Sequence, residues 1–443
     1  MTTAAENATL TQVGPGTPMG AVMRQYWLPA LKSSELAADG DPVRFRLLGE
    51  NLIAFRDSDG RIGVMDHRCP HRCASLFFGR NEEGGISCVY HGWKFDVDGN
   101  CLDMANVPPH QDFKHKVHAR AYKAAERNGV VWVYMGEQGE NGAKVPALPP
   151  IEANLLPEEE CNVWFVLRDC SYLQGLEGDM DTTHLGFLHY GKTKGSDYPA
   201  DYSQRYTAAD KTPEFFTKTT DWGYMYAAVR AAEEGKVNVR ISQFVMPCWT
   251  FPPLNPIDRN FIARAWVPLD DTHHMFVIIA RKDGDPIMRK LLDGRVAGSN
   301  EFDYAPNTTD WLGRWRLKTS MADDFGIDRD RQKTETFTGI VGVTQQDFAV
   351  VESMGDVVDR TMEHLAQSDA AVAQTRRVLL RAAERMAAGT PPLSAANPEL
   401  VGQARGGSFF ATRGALDGDG WIRLYEDQMG GAPFPGPTAH AAE

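Results

Sequence analysis

The chain has 443 residues, too many for one ordinary core, so two domains are expected. Hydrophobic residues make up 42% and charged residues 24%, an ordinary globular balance, and no apolar run is long enough to span a bilayer. The formal net charge of -13 argues against nucleic acid or an anionic membrane as partner and favours a soluble enzyme, one suited to docking a partner with a basic patch.

Residues 1–40 read as a lead-in packing on the catalytic domain. The N-terminus, Met1 to Glu6, lacks a basic segment followed by an apolar one, so a cytoplasmic location is expected. Thr17 to Trp27 predicts a short helix with Pro18 in its first turn. Residues 41–139 read as a small all-β domain. Pro42–Leu48 and Asn51–Arg56 are strands joined by a turn at Gly49-Glu50, and further turns are expected at Asp57–Gly60 and Asp96–Asn100. Val130–Tyr134 is its last strand. Residues 140–157, with Pro146, Pro149 and Pro150, read as a linker. Residues 158–443 form the second domain. Its strands Tyr224–Arg230, Val237–Val245 and His274–Ala280 precede a helical pattern from roughly Met354 to Ala388. Strands closed by a late long helix predict an α+β domain, an antiparallel sheet gripping that helix.

Seven cysteines, three of them within twenty residues, read as metal binding rather than a disulfide framework. Cys69-Pro70-His71 is followed after sixteen residues by Cys88-Val89-Tyr90-His91. Each short loop thus supplies one thiolate and one imidazole. Thiolates favour ferric iron and neutral imidazoles raise the potential of the iron they bind, so this quartet suits a [2Fe–2S] cluster with two Cys on one iron and two His on the other. The same side chains could hold zinc, although zinc-finger spacing pairs Cys with Cys and His with His. Cys73 and Cys101 read as ordinary small residues.

Cys69-Pro70-His71-Arg72 and Cys88-Val89-Tyr90-His91-Gly92-Trp93-Lys94-Phe95 resemble the Rieske oxygenases residue by residue. The resemblance implies a cluster ligated by Cys69, His71, Cys88 and His91.

The second dense motif is Glu177-Gly178-Asp179-Met180-Asp181-Thr182-Thr183-His184-Leu185-Gly186-Phe187-Leu188-His189. Two histidines five apart lie about 140° apart on a regular helix, so one that bends or widens near Gly186 is needed to aim both rings at one ion. Two imidazoles and a carboxylate make the facial triad that holds ferrous iron with open positions. Asp181 stands three residues before His184, on the same helical face. The resemblance makes His184 and His189 iron ligands. It makes Asp181 a bridge that bonds a ligand histidine and, across a subunit contact, a cluster histidine. The segment Thr344–Gly355 resembles the late Q-D-x-x-x-x-E segment of phthalate-dioxygenase-like members, which makes Asp347 the third ligand, with Glu352 as the alternative.

Val13–Gly20 and Asp359–Leu365 extend the resemblance to the phthalate dioxygenase group over most of the chain. It implies an oxygenase component in aromatic hydrocarbon catabolism. Such a component takes electrons from a separate NAD(P)H-dependent reductase and uses O2 to dihydroxylate an aromatic carboxylate. O-demethylation of a methoxylated aromatic acid is the alternative. It also implies a homo-oligomer, a trimer or stacked trimers. No GxGxxG fingerprint follows a strand, as expected if the nucleotide chemistry belongs to the reductase. An anionic substrate needs a cation in its pocket, and Arg230, Arg240 and Lys218 are the candidates. Asn238, Arg240 and Ser242 share one strand face. Two other classes of function predict different observations. A pure electron carrier would survive removal of mononuclear iron, and a zinc-stabilised binding protein would be colourless.

Overall fold

The computed structural model describes residues 2–136, 145–282, 288–292, 296–299 and 302–430. Its first half carries two antiparallel sheets. β1 (Trp27–Lys32), β2 (Val43–Leu47), β3 (Glu50–Arg56) and β4 (Ile62–Asp66) join the later β9 (Ala121–Arg127) and β10 (Val130–Tyr134) in the order β1-β10-β9-β4-β3-β2. Between them in sequence, β5 (Arg80–Glu82), β6 (Gly85–Ser87), β7 (Trp93–Phe95) and β8 (Cys101–Met104) form a four-stranded meander. Ile53, Phe55 and Met65 from the large sheet pack on Ile86, Trp93 and Phe95 from the small one. Cys69 and Cys88 are buried in that same core. The turns at Asp57–Gly60 and Asp96–Asn100 fall where the sequence predicts them, each nucleated by an aspartate accepting from the backbone two and four residues on.

The lead-in does more than pack on the second domain. β1 lies inside the expected 1–40 segment, yet it pairs with β10 from Trp27↔Tyr134 to Lys32↔Val130. The helix Pro18–Met23 forms with Thr17 as its N-cap. The expected linker lies partly outside the described residues. Its described part, from residue 145, is held in place. Asn154 is fully buried and bonded to Arg127, and Glu152 is buried against Arg405.

The second domain is built on one antiparallel sheet. β11 (Cys161–Arg168), β12 (Glu214–Thr220), β13 (Gly223–Ala231), β14 (Lys236–Val245), β15 (Trp249–Phe251), β16 (Ile262–Pro268) and β17 (His274–Arg281) run in the order β11-β17-β16-β15-β14-β13-β12. A hairpin of β18 (Met288–Lys290) and β19 (Val296–Ser299) stands apart, and β20 (Gly407–Thr412) pairs with β14. Alternation on the central strands sorts their side chains. Met225, Ala227, Val229, Val237, Val239 and Ile241 join an apolar cluster with Phe409 and Trp421. Tyr226 and Ser242 pair across the ladder on the other face, as do Ala228 with Arg240 and Arg230 with Asn238. The domain is α+β, as the sequence predicts. A long helix packs on β13, where Tyr224 donates its hydroxyl proton to Ala371 O at 2.7 Å.

That helix runs Ala370–Ala387, not from Met354. A separate helix, Val343–Ser353, precedes it and ends at Gly355, whose φ of +90° takes the chain out of the helix. Asp359 then bonds the Thr361 N–H and hydroxyl, and Asp369 caps back onto Ala366 N, so local side-chain bonds displace helical ones.

Candidate functional site

The two Cys/His loops are near copies of each other. Cys73 N–H donates to Cys69 O at 2.8 Å, and Gly92 N–H donates to Cys88 O at the same distance. Cys73 and Gly92, each four residues past its cysteine, both adopt positive φ, +60° and +76°. The loops put the cysteines inside and the histidines towards the tip. The rings of His71 and His91 lie 4.5 Å apart, and Trp93 stacks on His71 at 4.3 Å. Burial and the neighbouring Cys88 sulfur push the Cys69 thiol up to about 12, so a cation is needed to keep this sulfur a thiolate. His91 Nδ1 is buried with no hydrogen-bond partner. A lone pair so placed fits ligation. The four expected cluster residues are therefore brought together with the donor chemistry a [2Fe–2S] cluster requires. Cys101 is buried and Cys73 exposed, and both are free thiols. Val89 and Tyr90, next to His91, are exposed apolar side chains at the tip.

The second constellation starts at the helix Tyr172–Met180. It ends at Asp181, which has extended backbone, so Asp181 and His184 do not share a helical face as the spacing suggested. Asp181 Oδ1 instead accepts from Thr183 N at 2.7 Å, and Oδ2 lies 3.7 Å from His184 Nδ1. Leu185–His189 is a π-helical turn, closed by Tyr190 N–H donating to Leu185 O at 3.0 Å. A π turn widens the helix, and this brings the rings of His184 and His189 to 5.1 Å between centroids. The widening expected near Gly186 is present.

Asp347, on the helix Val343–Ser353, completes the group. Its Oδ1 lies 3.5 Å from His184 Nε2 and 3.2 Å from His189 Nε2. Among the described residues, His184, His189 and Asp347 are the group of three able to hold one metal ion, with donor atoms within 4.8 Å of one another. Burial alone would raise the Asp347 carboxyl, but the two histidines and Arg264 outweigh it and hold it below the usual range. Burial likewise opposes charge on His184, and Asp181 and Asp347 together reverse that. Glu352 is not part of the group. It is buried against Arg168 at 3.3 Å and accepts from Asp169 N.

The three substrate-side candidates separate. Arg240 is buried in the wall of a cavity it shares with Asp181, His184, His189 and Asp347. Its Nη1 donates to Ser203 Oγ at 3.2 Å. Arg230 is buried further along the same strand face, outside the lining of this cavity, its Nε bonded to Asp210 O, and burial and Arg240 lower it to about 10. Lys218 is exposed on the edge strand β12 and lines a different cavity beside Trp222 and Tyr425, so the structure does not bring it to the site. Its strand alternation carried no information about which sheet edge it would occupy. The sequence reading missed Arg264, which lines the cavity and is neutralised by Asp179 at 2.6 Å. It also missed Gln346, which accepts from His189 Nδ1 at 2.8 Å. Adjacency to Asp347 was the available signal for Gln346. Nothing local marked Arg264.

No helix among the described residues is long and apolar enough to cross a membrane. Residues 26–122 match a family model described as the Rieske [2Fe-2S] domain, and residues 133–412 match one described as LigXa C-terminal domain like. The chain is 43% identical over 436 residues to the 3-chlorobenzoate-3,4-dioxygenase oxygenase subunit of Comamonas testosteroni, covering 96% of this chain and 98% of that one. It is 38% identical over 405 residues to the phthalate 4,5-dioxygenase oxygenase subunit of Pseudomonas putida, covering 88% of each. The solved structure of dicamba monooxygenase bound to dicamba shares the fold at a TM-score of 0.53 and 17% identity, over 83% of this chain and 99% of that one.

Proposed function

Because the chain belongs to the Rieske-type oxygenase subunits and is an oxidoreductase of that class, we propose that it hydroxylates the ring of an aromatic carboxylate at an iron held by His184, His189 and Asp347. The observation that carries this reading is Arg240, buried in the wall of the cavity onto which those three donors open. Arg240 reaches this cavity from the strand face it shares with Ser242, so the substrate carboxylate is assigned to its guanidinium, with the Ser242 hydroxyl beside it. Arg264 lines the same cavity and is paired with Asp179 at 2.6 Å. Tyr226 shapes the adjoining wall and steadies the end of the helix before Asp181 by donating to Met180 O at 2.9 Å.

When bound, the cluster supplies single electrons from a separate NAD(P)H-dependent reductase, and the ferrous ion supplies activation of O2. The chain's residues do the rest. Cys69, His71, Cys88 and His91 hold the cluster. Arg240 orients the acid, and the surrounding wall of Leu185, Pro252, Pro253 and Leu254 limits water. The Asp181 carboxylate faces His184 Nδ1 at 3.7 Å and offers the link to a cluster histidine of a neighbouring copy. That role requires a homo-oligomer, a trimer or stacked trimers. The exposed Val89 and Tyr90 beside His91 suit a surface that is covered by another chain.

Arg240→Gln is expected to lower kcat/KM for the aromatic acid by about 100-fold, as loss of a buried charge-assisted contact implies. Most of the effect should fall on KM. Steady-state kinetics check this, and an unchanged KM would place the carboxylate elsewhere. Product analysis with labelled O2 and a panel of benzoates, phthalates and methoxylated acids tests the reaction. Both atoms of one O2 in a ring diol support the reading, whereas loss of a methyl group from an aryl ether overturns it.

A further inference from the structure

Gln346 is the least expected polar side chain at this centre. It is buried, on the helix Val343–Ser353, one residue before Asp347. Its Nε2 donates to the backbone carbonyl of Ile340 at 3.0 Å. A carbonyl only accepts, so this bond fixes which end of the amide faces the other way. The end that does so is Oε1, 2.8 Å from His189 Nδ1. Oε1 also only accepts, so Nδ1 carries a ring proton, and in the neutral imidazole Nε2 is then the bare lone pair. That Nε2 is buried without a hydrogen-bond partner and faces Asp347 Oδ1 at 3.2 Å. Two acceptors this close repel each other unless a proton or a metal cation lies between them.

The partner of the other ring differs in charge. His184 Nδ1 faces the Asp181 carboxylate, whereas His189 Nδ1 faces a neutral amide. Gly342, at φ +90°, turns the chain into the helix just after Ile340 and so brings that carbonyl under the Gln346 amide.

We propose that Gln346 is a positioning residue of the iron centre. It locks His189 in the tautomer that presents Nε2 to the metal, and it does so without adding charge. The proposal rests on reading His184, His189 and Asp347 as the iron donors. An outer hydrogen-bond partner of this kind is worth about 10–100-fold in metal affinity.

The test uses the full chain with its cluster intact and its mononuclear iron removed by a chelator. Ferrous ion is titrated back anaerobically, and the ligand-field bands of the bound ion are followed in the near infrared. Gln346→Leu is expected to bind ferrous ion about 10–100-fold more weakly, with shifted bands. Gln346→Glu still accepts from Nδ1 and should rescue the affinity. Cluster absorption reports whether each variant is folded. Wild-type affinity and bands in Gln346→Leu overturn the proposal. If Gln346→Leu loses its cluster, Gln346→Glu decides, and a Glu variant as weak as His189→Ala overturns it. Wild-type binding by His189→Ala would instead overturn the ligand set itself, and the proposal with it.

Discussion

Asp347→Ala is expected to leave a red-brown protein with its cluster iron and sulfide in place, no mononuclear iron, and turnover at the limit of detection. The loss should exceed the about 10–100-fold that removal of an outer hydrogen-bond partner costs. Asp347 is the acidic member of the three grouped donors, and the other two are imidazoles, which bind a metal only in their neutral form. Without it, two histidines face a dication with no charge compensation, and the coordination set falls to two protein ligands. Asp347→Asn keeps the shape and loses the charge, so it should fail nearly as badly. Iron and sulfide analysis with O2 uptake reads both variants. An Asp347→Ala protein that retains its mononuclear iron would remove this residue from the ligand set. Glu352→Gln provides the contrast, since Glu352 is turned towards Arg168 and should leave iron binding intact.

Glu177→Gln is expected to destabilise the second domain by about 3–5 kcal/mol, the usual consequence of removing one partner from a buried ion pair. Glu177 is buried on the helix Tyr172–Met180 and sits between two guanidiniums. Arg360 donates to it at 2.9 Å and Arg376 at 2.6 Å. Arg376 also reaches Glu363, whereas the fully buried Arg360 is left with Asn7 as its other bonded side chain. The network ties the N-terminal helix Ala4–Thr11, the long helix Ala370–Ala387 and the helix leading to Asp181 into one unit. A fall in melting temperature of about 10 °C follows for a domain of this size. Thermal melts followed by circular dichroism in the far ultraviolet would show it. A melt within a degree or two of wild type would mean that the arginines find solvent or other partners. Because the same helix ends at Asp181, the variant should also lose mononuclear iron more readily on warming.

The metal donors were legible because their chemistry is local. Each Cys-x-His or Cys-x2-His loop places its two proposed ligands within one turn, and His184 and His189 are only five positions apart, so one π turn brings their rings together. Backbone geometry then nearly determines the side-chain directions. The strand face carrying Asn238, Arg240 and Ser242 was legible for the same reason, since period-two alternation is local. The break at Asp181 was not, because the helix end there is met by Tyr226 from β13, which donates to Met180 O across 46 positions of sequence. The helix start was misplaced because the stretch from Met354 to Asp369 has helical composition, while Gly355 and the Asp359 and Asp369 turns divert it.

The sequence alone singled out the two Cys/His loops and the His184–His189 pair proposed to hold iron, the all-β and α+β character of the two domains, and the face on which Arg240 lies. Tertiary structure decided what no spacing encodes. It brought Asp347 to histidines more than 150 residues earlier in the chain, as the His189–Gln346 separation of 157 positions illustrates. It also spent Arg264 on Asp179, put Lys218 on a distant edge and set Gln346 behind His189. Neighbours in sequence share backbone geometry, whereas partners in space meet only once the sheet has fixed which strands lie side by side.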